Sequence, residues 1–81
     1  MRNIVTLIQE ILLVLPKNDS VKDFRETLQK IVLLSLQSKP EEENIRLGEL
    51  EALIKQTINP EALLSEWQSK VLSIYLNKEN E

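Results

Sequence analysis

Residues 4–16 read IVTLIQEILLVLP. Ile4, Val5, Leu7, Ile8, Ile11, Leu12, Leu13, Val14 and Leu15 leave only a narrow polar strip of Thr6, Gln9 and Glu10, preceded by Asn3. This is a helix ended by Pro16, because the residue before a proline is pushed out of the α region. A surface helix needs one apolar stripe, and here about three-quarters of the circumference is apolar. Either the helix is central and covered by others, or it carries a second interface.

The rest of the chain agrees on helix. Leu, Glu, Lys and Gln are abundant, and all are good helix formers. A single glycine, Gly48, and one each of Phe, Trp and Tyr are too few for a typical β domain. The 81 residues fit one domain with a thin core, since a chain of this size buries only about 60% of its unfolded surface. Without cysteine, no disulfide or thiolate metal site staples it, so stability rests on packing, alone or with a partner subunit.

Working outward, a second helix is expected over 20–37. Asp19 or Ser20 would cap it, and Val21, Phe24, Leu28, Ile31 and Ser35 share one face. Val32, Leu33, Leu34 and Leu36 make its end apolar almost all round. Pro40 opens a third helix, 41–58, with Glu41, Glu42 and Glu43 where the helix dipole favours negative charge. Its stripe is Leu47, Leu50, Ile54 and Ile58, with Leu53 beside it. Gly48 inside it either admits a close neighbour or marks a fraying half. Asn59-Pro60-Glu61 reads as the start of a fourth helix, 60–76, carrying Leu64, Trp67, Val71 and Ile74, with a frayed tail over 77–81. Helices one to four are thus about 3–15, 20–37, 41–58 and 60–76. A shift of 43 positions superposes the apolar stripes of the two halves, although residue identities are nearly absent. The expected fold is all-α, a small four-helix bundle of two helical hairpins, up-down and antiparallel.

Composition restricts the chemistry. With no histidine and no cysteine, the commonest general base and the best nucleophile are missing. Glu41, Glu42 and Glu43 are consecutive, so on a helix they point about 100° apart and do not converge on one metal ion. One glycine allows no phosphate-binding loop. Asp19-Ser20-Val21 resembles the Asp-Ser-Leu at which acyl carrier proteins take their phosphopantetheine arm. That family has a long loop before the serine and an acidic second helix, whereas this chain has a short turn and Lys22, Arg25 and Lys30. Ser20 is read as a cap. No enzyme activity, catalytic residue, cofactor or metal is expected.

The net charge of −3 is uneven, +1 over residues 1–38 and −4 over 39–81. No basic stripe marks a nucleic-acid binder. Lys22, Arg25, Gln29 and Lys30 would suit a DNA recognition helix, but Asp23 and Glu26 dilute them, so that reading ranks last. The first helix is too short to span a bilayer, which takes about 20 apolar residues. Gln9 and Glu10 interrupt it, and no small-residue cleavage site follows, so it is not read as a signal peptide. Neither membrane nor nucleic acid is expected as a partner, and the cytoplasm is the expected compartment.

The apolar excess of helices one and two points to an interaction surface. Val5, Leu12, Leu13, Leu33, Leu34 and Leu36 are its candidate residues, with Trp67 and Tyr75 as possible aromatic anchors and core packing as their other reading. The expected function is non-enzymatic protein binding through that face, with self-association, a homodimer being the simplest form. The rival expectation is a small acidic inhibitor, of the immunity or antitoxin kind, against a basic partner.

Overall fold

The computed structural model describes residues 3–77. It contains four α-helices, α1 (Ile4–Val14), α2 (Lys22–Gln37), α3 (Glu43–Thr57) and α4 (Glu66–Leu76). Short 3-10 turns, Asp19–Val21 and Pro40–Glu42, lead into α2 and α3. No strand occurs among the described residues. The molecule measures 37 × 28 × 19 Å, and its thin dimension is about two helix diameters. Of the tail expected to fray, all but Asn77 lies outside the described residues.

Side chains satisfy otherwise orphaned N–H groups at the starts of α1 and α4 and of the 3-10 turns that lead into α2 and α3. Asn3 opens α1, its Oδ1 accepting the Val5 N–H at 2.7 Å. The chain leaves α1 in extended geometry at Leu15, immediately before Pro16. Asn18, rather than the expected Asp19 or Ser20, caps the next segment by accepting the Ser20 N–H at 3.0 Å. Asn18 wins because it stands one position outside the 3-10 turn, where an extended backbone aims its amide oxygen back at the turn. The Glu42 carboxylate accepts the Lys39 N–H at 3.0 Å at the entry to α3.

Helix four starts later than the sequence reading has it. The Asn59 side chain accepts the Glu61 N–H and its carbonyl the Ala62 N–H, each at 3.0 Å. These bonds close a tight turn rather than a helix start, and Leu63 after it is fully exposed. The helix begins after Ser65, where a reciprocal pair caps it. Gln68 N–H donates to the Ser65 hydroxyl at 3.4 Å, and Ser65 N–H to the Gln68 side chain at 2.9 Å.

The core explains the unusual first helix. α1 packs against α2 and α4, α2 packs against α3, and α1 also touches α3. Central placement covers Ile4, Leu7, Ile8 and Ile11 almost completely. Leu15, Val21, Phe24, Leu28 and Ile31 join them from the first hairpin, Leu50, Ile54 and Ile58 from the third helix and its end, and Val71 from α4. The start of α1 lies beside the end of α2, where Asn3, Ile4 and Val5 share a crevice with Ser35, Leu36 and Ser38. The end of α1 lies beside the start of α4, where Val14 and Pro16 meet Ser65, Trp67 and Lys70. Successive helices thus run up, down and up, and the fourth begins where the first ends. Gly48 has an ordinary backbone, is exposed, and a Cβ there would meet nothing within 4 Å. It admits no close neighbour.

Candidate interaction surface

Large apolar side chains are the raw material of this surface. Leu13 (86%), Leu33 (60%), Leu36 (67%), Ile45 (55%), Leu63 and Leu76 all stand largely in solvent. Two of them belong to one face. Thr27, Lys30, Ile31 and Leu34 of α2 and Glu49, Ala52, Leu53 and Gln56 of α3 line a shallow groove of about 350 Å³. On α3, positions 45, 49, 52 and 56 recur at helical spacing, so Ile45 extends the α3 rim by one turn. On α2, Leu33 stands one turn beyond Lys30 and beside Leu34. The groove itself is apolar through Ile31, Leu34, Ala52 and Leu53, and Leu33 and Ile45 stand outside it. Lys30 and Glu49 stand on its opposite rims.

The residues singled out from sequence do not form one surface. Leu33 and Leu34 lie on the α2–α3 face. Leu36 turns the other way and lines the crevice at the start of α1 together with Val5. Val5 and Leu12 are half-buried and packed against the core. Leu13 falls at helical spacing with exposed Thr6 and Gln9, on the solvent side of α1. Trp67 packs its ring against Phe24, centroids 5.9 Å apart, and Tyr75 leans on the core as well. Ile45, Leu63 and Leu76 were not among those candidates. For Ile45 a signal existed, because it is out of phase with the stripe of Leu47, Leu50, Ile54 and Ile58.

The polar groups serve mainly to hold helices. Arg46 meets Glu49 at 3.0 Å, Lys55 meets Glu51 at 2.7 Å, and Lys70 meets Glu66 at 3.1 Å. The hydrogen bond from Lys55 to Glu51, reinforced by the attraction of the two charges, raises the amine above its ordinary range. That keeps Lys55 protonated, which suits a surface pair. The Arg25 guanidinium donates to the Pro16 carbonyl and ties α2 to the end of α1. Ser20 donates its hydroxyl to Asn18. Among the described residues, no three metal-ligating side chains gather, and no helix is long and apolar enough to cross a membrane. The chain matches no family model, no curated protein and no solved structure.

Proposed function

We propose that this chain is a non-enzymatic interaction module that binds protein through its α2–α3 face. The observation that supports this most is the groove lined by Ile31, Leu34, Ala52 and Leu53, beside which Leu33 and Ile45 are both more than half exposed. Burying one Leu or Ile side chain contributes about 1.5–3 kcal/mol. Contiguous apolar surface rimmed by charge marks interaction sites on soluble domains. We favour α2–α3 over the expected α1–α2 side because, of the apolar residues of α1, only Leu13 stands largely in solvent.

The rival reading, an acidic inhibitor of a basic protein, has less support. Glu49, Glu51 and Glu66 are each paired with a cation on their own helix. Binding through the remaining carboxylates would weaken steeply with salt, which an apolar interface does not.

The test is a photo-crosslinking residue placed at Leu33, at Ile45 and, as control, at Gln9, in cells that produce the chain. Adducts from positions 33 and 45 but not from 9 are expected. Equal adducts from all three, or none, would remove the face from consideration.

A further inference from the structure

We propose that the crevice between the start of α1 and the junction of α2 with α3 binds a small neutral amide, its carbonyl oxygen accepting the Arg46 Nε–H and its N–H donating to the Ser35 hydroxyl. The crevice shares no lining residue with the α2–α3 groove, so this site stands or falls without the interaction reading above.

Two orphaned polar atoms carry the argument. Among the described residues, Ser35 Oγ and Arg46 Nε are buried side-chain atoms without a hydrogen-bond partner, and both residues line this crevice of about 340 Å³. A buried donor left unpaired is costly, so such atoms are few in native proteins. The hydroxyls of Thr27 and Ser38 donate to carbonyls one turn back on α2, and Ser35 makes no such bond. Arg46 holds Glu49 through Nη1 at 3.0 Å, on the other side of the guanidinium from its Nε–H. An Nε–H only donates, whereas a hydroxyl donates or accepts. The pair therefore matches an amide, which offers an acceptor and a donor side by side. Charge favours a neutral ligand. Lys39 and Arg46 bring two positive charges, and Glu43 and the Glu49 that holds Arg46 bring two negative ones. An ion of either sign is repelled as much as it is attracted. Ile4, Val5, Leu36 and Pro40 supply apolar walls for the body of the ligand. The volume lies at the low end of small-molecule sites, which run from roughly 300 to 1,000 Å³. Leu36 and Lys39 are exposed and can turn aside to admit it.

The test is titration of the full chain with ε-caprolactam, a cyclic amide with an apolar ring, read by the Arg46 Nε–H signal in proton–nitrogen correlation spectra. A saturable shift of that signal, and of the Val5 and Leu36 methyl signals, is expected. N-methylcaprolactam keeps the carbonyl and lacks the N–H, so it should bind about fivefold more weakly. Ser35→Ala should remove that difference. Arg46→Lys, which keeps the charge and loses the Nε–H, should weaken both lactams. Circular dichroism checks that each variant keeps its helices. No saturable shift in the unmodified chain would overturn the site, whatever the variants do. Equal affinities for the two lactams, or a gap that persists in Ser35→Ala, would overturn the bond to Ser35. Tighter binding of cyclohexanecarboxylate, an anion of similar size, would overturn the neutral class of ligand.

Discussion

Leu28 and Leu33 stand five positions apart on α2 and meet opposite surroundings. Leu28 is wholly buried, and Leu33 is 60% exposed. Replacing Leu28 by Ala should cost 2–5 kcal/mol, roughly the range for buried leucines. The same change at Leu33 should stay within about 0.5 kcal/mol in dilute solution, where no partner is present. Urea unfolding of both variants measures the contrast, and similar losses would mean that Leu33 is core. The sequence carried half of this difference. Val21, Phe24, Leu28 and Ile31 repeat at helical spacing, and all four are buried. From Ile31 onward the helix is apolar nearly all round, so spacing no longer gives a phase. Which of Leu33, Leu34 and Leu36 faces which neighbour is decided by where α1 and α3 arrive. Gly48 offers a second test at this scale. It faces open space within α3, so Gly48→Ala should stabilise the chain by about 0.5–1 kcal/mol, through helix propensity and a less disordered unfolded state. Thermal unfolding should show a midpoint higher by several degrees, at about 4–8 °C per kcal/mol for a domain of this size. A lower midpoint would reveal a neighbour that the open surroundings of Gly48 do not show.

The four helices were legible as elements because prolines, caps and stripes agree over most of the chain. The first three occupy nearly the expected ranges, apart from 3-10 turns at the entries to α2 and α3. The fourth carried two competing starts six residues apart. Asn59-Pro60 is a strong start in isolation, but the same residues also close a tight turn, and Ser65 with Gln68 forms a box that satisfies two N–H groups at once. That start also sets the phase in which Trp67 reaches Phe24 and Val71 is buried. Ser65→Ala should therefore cost about 1 kcal/mol, while Asn59→Ala should leave the start of α4 in place. Amide exchange measured at Trp67 and Gln68 in the two variants distinguishes them. Faster exchange in Asn59→Ala alone would return the helix start to residue 60.

At the scale of the molecule, α1 is central, so the surplus that first suggested an interface is, Leu13 apart, spent inside, and surplus of another kind remains on the α2–α3 face. A chain of this length is stable by about 4–12 kcal/mol in total, at roughly 0.05–0.15 kcal/mol per residue. Association therefore adds a visible share. A species that binds only the folded state stabilises it by about 2.7 kcal/mol at a hundred times its dissociation constant. At 4–8 °C per kcal/mol that is a shift on the order of 10 °C. If a second copy covers the α2–α3 face, the unfolding midpoint of the unmodified chain should climb with protein concentration. In Leu33→Glu and Ile45→Glu, whose sites are exposed and tolerate charge in the isolated fold, it should stay level at all concentrations. Calorimetry over a hundredfold concentration range reads both. A midpoint independent of concentration in the unmodified chain would mean that the thin core alone sustains the fold and that the apolar face contributes nothing to it through a second copy.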